Sequence, residues 1–121
     1  MKLLLSIKPH YADRILAGTK RYEFRRRIFA QNVRRAVIYA SSPVSSLVGE
    51  FAIHDVIGLP LDDLWSHTRT YAGVTEEDFY AYFAGLRSGF AIVIRDPRRY
   101  HKPRPLPEAL ILRPPQSFAY I

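Results

Sequence analysis

At 121 residues the chain is the size of one domain with its own hydrophobic core, and 48% apolar residues exclude a disordered protein. With no cysteine it can have no disulfide framework, thiolate metal site or thiol nucleophile. Its net charge of +7 is unevenly spread: residues 1–49 hold ten Lys/Arg against Asp13 and Glu23, 50–86 hold seven acids against Arg69, and 87–121 hold seven bases against Asp96 and Glu108.

If the two basic ends meet in space, they form one positive face backed by an acidic flank, which suits a polyanionic partner. The four histidines, His10, His54, His67 and His101, form no ligand spacing, so neither a metal nor another cofactor is expected. Met1–Leu5 is too short for a signal peptide or membrane span, and Pro9 interrupts it. The expectation is a cytoplasmic protein with no membrane partner.

The first element is an apolar strand over Lys2–Ile7. Pro9 suits the first residue of a helix, Tyr11, Ala12, Ile15 and Leu16 give that helix an apolar face, and Gly18 can end it. Arg21–Arg25 alternates, so Tyr22 and Phe24 should face the core while Arg21, Glu23 and Arg25 share the other side. Strands are expected at Arg35–Ala40 and Leu47–Ile57, separated by the turn-rich Ser41–Ser46. Pro60–Ser66 reads as a short amphipathic helix. Thr75 caps another whose first turn is acidic and whose apolar stripe is Phe79, Tyr82, Phe83 and Leu86. Phe90–Arg95 is a β-branched strand. The proline-rich remainder leaves Leu110–Leu112 and Phe118–Ile121 as further sheet segments. Without repeats or linkers, residues 1–121 form one α+β domain, a compact and partly open β-barrel with small helices.

Lys20, Glu23 and Arg25 concentrate charge within six residues of a turn and strand start. A lysine can hold a neighbouring carboxylate ionised, or act as a base when desolvated; equally, the pair can be a structural salt bridge. Arg25, Arg26, Arg27, Arg34 and Arg35 offer guanidinium forks along a phosphate backbone, or keep a strand edge charged against aggregation. Arg98, Arg99 and Lys102 extend this backbone set, and Tyr100 among them can stack a base or fill the barrel. Gln116 and Ser117 can read a base edge or cap the last strand.

The segment from Leu5 to Arg25, with Gly18, Lys20, Glu23 and Arg25 in place, resembles the signature of the ASCH domains. The closing Pro114–Tyr120 is similar to the ending of a bacterial branch described as predicted transcriptional regulators. The resemblance implies a PUA-like fold, a small mixed and mostly antiparallel β-barrel with a helix across its opening and a short helical insert. It implies a cleft lined by Ser6, Lys8, Lys20, Glu23 and Arg25, binding RNA or a modified nucleotide or nucleoside, with DNA a further possibility. Some members hydrolyse acetylated cytidine with a Lys-Thr-Glu set. Lys20 matches that lysine, but Glu23 stands where the threonine belongs, so the attacking hydroxyl is missing. Other members are ribonucleases, whose chemistry needs only an activated 2′-hydroxyl and a cation at the phosphate. The first expectation is therefore a binding module. The alternative is a metal-independent hydrolase with Lys20 and Glu23 as catalytic residues.

Overall fold

The computed structural model describes residues 1–109 and 113–121. In chain order the elements are β1 (Leu3–Ile7), α1 (Pro9–Ala17), β2 (Tyr22–Arg25), β3 (Arg35–Ala40), β4 (Ser46–Pro60) and α2 (Leu61–Thr68), then a 3-10 turn at Arg69–Tyr71. After these come α3 (Glu76–Tyr82), β5 (Ser88–Arg104), a 3-10 turn at Leu106–Ala109 and β6 (Phe118–Tyr120). The strands form one six-stranded sheet in the order β2-β5-β4-β3-β1-β6. Among the described residues, only β1 and β3 pair in parallel, through the crossover that contains α1. The sheet curls into a half-barrel, the α+β architecture expected from the sequence.

Period-two alternation decides which residues fill the barrel. Leu3, Leu5 and Ile7 of β1 and Ala36, Ile38 and Ala40 of β3 point inward to meet Phe51, Ile92 and Ile94. Ala12 and Ile15 of α1 close over them, each 1% exposed or less. Burial of each leucine, isoleucine or phenylalanine side chain among them contributes about 1.5–3 kcal/mol. Pro9 opens α1 behind an extended Lys8, and Gly18 ends it at φ +84, donating its N–H to Ile15 O. That left-handed turn aims the chain into β2. Leu4, Val37, Tyr39, Leu47, Tyr100 and Leu106 form a smaller cluster on the outer face of the sheet.

A third cluster fixes the helical insert to the barrel. Phe24 of β2 and Ala91 of β5 pack against Leu64, Ala72, Phe79 and Phe83. The Phe24–Phe79 and Phe79–Phe83 ring centroids lie 5.0 and 4.9 Å apart, both edge to face. Trp65 joins this packing, 5.1 Å from Phe79, whereas Tyr82 turns outward.

The last long strand departs from expectation. The prolines after Phe90–Arg95 suggest broken pieces, yet β5 runs on to Arg104. Its register against β4 skips from Arg95 to Arg98 and from Arg99 to Arg104, so Pro97 and Pro103 fall in irregular stretches that need no ladder donor. Asp96 takes a positive φ of 52° at the first of them. The expected strand Leu110–Leu112 lies outside the described residues. Among the described residues, no helix is long and apolar enough to cross a membrane.

Candidate functional site

A cleft of about 1320 Å³ opens where the barrel mouth meets the insert. Its walls come from the β1–α1 junction, the start of β2 and the residues after it, the β3–β4 turn, α3, and the segment Pro114–Ser117.

Lys20 lies against this cleft and is almost fully buried, at 1% exposure. Its ammonium donates to Ala72 O at 2.6 Å and sits 4.9 Å from the Phe24 ring centroid and 5.4 Å from that of Tyr11. Burial lowers its pKa to about 8, against the opposing pull of the Glu23 carboxylate. Two neighbouring residues secure the same loop: the Arg14 guanidinium donates to Gly73 O, and the Arg21 backbone N–H donates to Tyr71 O. Three consecutive carbonyls of the insert are thus held by α1 and the α1–β2 turn.

Glu23 pairs not with Lys20 but with Arg25, Oε2 to guanidinium at 2.8 Å. Arg25 also donates to Ser6 O, Ser117 O and Ser117 Oγ, between 3.1 and 3.2 Å. Its guanidinium therefore links the edge strand β2 to β1 and to the segment leading into β6. Ser6 Oγ donates to Pro115 O and reinforces the seam. Arg25 Nε is buried and has no partner among the described residues. The expected charged trio divides: Glu23 and Arg25 are buried, while Arg21 is exposed and stacks on Tyr71 at 3.9 Å.

Of the expected ligand-binding and backbone residues, Ser6, Lys8, Arg25, Arg26, Arg27, Gln116 and Ser117 line the cleft. Arg26 is already occupied, donating to Tyr82 O and Ala84 O at the end of α3. Arg34, Arg35, Arg98, Arg99 and Lys102 do not line it. The basic ends do meet, but around an acid. Glu50, 5% exposed, receives Arg35 at 2.7 Å, Arg98 at 3.2 Å, Lys2 at 3.7 Å and the Tyr100 hydroxyl at 2.9 Å. Burial alone raises the pKa of this carboxyl; the hydrogen bonds from Arg35, Tyr100 and Arg98 outweigh burial and bring it down to about 2. Arg99 pairs with Asp13 at 3.3 Å. Tyr100, the expected stacking residue, is 8% exposed in the outer-face cluster, with Arg104 against its ring at 3.9 Å.

The cleft also contains residues the sequence did not single out as ligand contacts: His10, Tyr11, Tyr39, Asp78 and Tyr82. Tyr39 is opposite Ser6 in the β1–β3 register. Tyr11 and Tyr82 read as core residues at helical spacing, and only the approach of α3 to α1 makes them walls. Ser41, Ser42 and Ser45, in the turn after β3, complete that side.

The family model of the ASCH domain matches residues 5–101. This chain belongs to the ASCH family. It is 30% identical over 126 residues to a protein of Zymomonas mobilis named ASCH domain-containing ribonuclease, with 98% of this chain and 82% of that protein aligned. The crystal structure of ASCH from Zymomonas mobilis superposes with a TM-score of 0.91 at 30% identity, covering 99% of this chain and 87% of that one. Crystal structures of two ZmASCH variants, a tyrosine changed to phenylalanine and a serine changed to alanine, superpose equally well. The hypothetical protein PH0355 shares the fold at a TM-score of 0.56 and 16% identity, over 83% of this chain. The PUA-like barrel is thus the ASCH fold, and the cleft is that of an ASCH domain.

Proposed function

We propose that this ASCH domain binds single-stranded RNA in the cleft between barrel and insert and cleaves it. The carrying observation is the cleft itself, in which a buried lysine lies beside the Glu23–Arg25 pair and Lys8 and Arg27 are exposed. The similarity over nearly the whole chain to a protein named a ribonuclease supports turnover as well as binding. RNA carries its own nucleophile. The protein has to supply a proton acceptor for the 2′-hydroxyl, positive charge near the phosphate, and a surface that holds the strand. The Lys20 ammonium, fixed by Ala72 O, supplies charge that needs no reorganisation when negative charge develops. Lys8 and Arg27 supply phosphate contacts at the cleft wall, and Tyr11 and Tyr82 supply aromatic surface for bases.

A binding module without turnover is the second reading. It is favoured by the internal bonding of Lys20, Glu23 and Arg25, whose polar groups hold the insert and the seam together. One experiment separates the two. Purified protein is incubated with single-stranded RNA and with DNA of the same sequence, with and without chelator. Cleavage of RNA alone, unaffected by chelator and reduced about 100-fold in Lys20→Met, supports the ribonuclease. Salt-sensitive RNA binding without cleavage supports the module, and neither binding nor cleavage overturns both.

A further inference from the structure

Resting on the ribonuclease reading, we propose that His10 is the group that takes the proton from the attacking 2′-hydroxyl. Among the described residues the cleft's candidate proton acceptors are His10 and the carboxylates of Glu23 and Asp78, and a carboxylate is ordinarily the weaker base near neutral pH. The Glu23 carboxylate is engaged by Arg25, and the Lys20 ammonium is held by Ala72 O at 1% exposure. Imidazole is the side chain whose ordinary titration falls between pH 5 and 8. His10 is exposed on the cleft wall, whereas His54, His67 and His101 do not line it.

The position suits the role. His10 is the second residue of α1, and its ring centroid is 4.0 Å from that of Tyr11. The Lys20 ammonium is 5.4 Å from the centroid of the same Tyr11 ring. Tyr11 thus neighbours both an imidazole exposed on the cleft wall and a buried ammonium. The charged groups around this corner are Lys8 and Arg14 on the α1 side, Lys20 and Glu23 from the α1–β2 turn and β2, and Asp78 from α3.

In the step itself His10 accepts the 2′-hydroxyl proton as the 2′ oxygen bonds to phosphorus. The bond from phosphorus to the 5′ oxygen breaks, and its electron pair leaves with that oxygen. Solvent water protonates the 5′ oxygen, and the imidazolium returns its proton to solvent. The products are a 2′,3′-cyclic phosphate and a 5′-hydroxyl end.

The test compares wild type, His10→Gln and the exposed-surface control His67→Gln on single-stranded RNA from about pH 5 to about pH 8. Melting curves check that each variant is folded. Expected are cyclic-phosphate ends, a wild-type kcat that falls toward acid pH, and a loss of about 100-fold in kcat in His10→Gln alone. RNA binding stays within about twofold and the acid limb disappears. A folded His10→Gln that keeps the wild-type rate and pH profile overturns the proposal and leaves the ribonuclease standing. A loss confined to KM overturns it in favour of a binding role. A wild-type protein that cleaves no RNA removes the ribonuclease reading and this proposal together.

Discussion

Two buried ionisable residues show how one kind of group can be stabilised or strained by its surroundings. Glu50 has four polar partners, and its carboxyl is held at about 2. A folded pKa below the unfolded value means stability that is complete above the ordinary carboxyl range and lost as pH falls through about 4.5 toward about 2. Glu50→Gln should lose on the order of 2 kcal/mol at pH 7, a figure discounted for the solvent screening its exposed partners. In denaturant titrations the gap from wild type should narrow below about pH 4 and close near pH 2. Lys20 is the opposite case. Its pKa falls from 10.5 to about 8, so between those values the unfolded chain binds more protons than the folded one, and stability rises with pH. Relative to Lys20→Met, wild type should therefore gain stability from pH 8 upward. A flat difference across that window would mean that Lys20 is not desolvated.

At the scale of elements, the insert is joined to the barrel by an aromatic cluster and by the loop at Gly73, and that loop has no room for change. Gly73 has φ +68, and a Cβ there would stand 2.5 Å from both Cβ and Cγ of Lys20. Either Lys20 or the loop would have to move, and a side chain at that φ adds strain of about 1–3 kcal/mol. Gly73→Ala should lower the melting temperature and weaken RNA cleavage together, because it displaces the ammonium that Ala72 O holds. Thr75→Ala tests a different joint. Its hydroxyl accepts the Asp78 N–H at 3.1 Å, so the substitution should cost about 1 kcal/mol and fray the first turn of α3. Equal effects of the two on cleavage, measured well below their melting temperatures, would mean that Gly73 acts through general stability alone.

Across the whole molecule, the internal partners of each arginine sort a uniform-looking basic surface. Arg27 is an exposed cleft residue, Arg26 caps α3, and Arg35 and Arg98 converge on Glu50. Arg27→Glu should weaken RNA binding for all sequences alike and reduce the salt slope by about one. Arg98→Glu should affect folding stability more than RNA affinity, because it sets a second carboxylate beside Glu50. The measurement is fluorescence anisotropy of labelled single-stranded RNA between about 50 and about 200 mM salt. Equal losses of affinity in the two variants would extend the RNA path over the outer face of the sheet.

The sequence by itself determined the elements and the kind of chemistry. Pro9 and Gly18 bound α1, the apolar run Lys2–Ile7 marks β1, and Thr75 with its acids starts α3, all because these signals act within a few neighbouring residues. The motif also placed Lys20, Glu23 and Arg25 together, since neighbours along a turn and strand stay neighbours in space. Only the tertiary structure decided what each charge does. Lys20 finds its acceptor 52 residues away, Arg25 reaches Ser117 across 92, and Tyr100 gives its hydroxyl to Glu50 across 50. The same holds for His10, Tyr11, Tyr39 and Tyr82, which share a cleft only because the insert folds back over the barrel mouth. Periodicity reports which face of an element is buried. Hydrogen-bond partners depend on which distant element that face meets, and that is settled when the sheet curls and the insert docks.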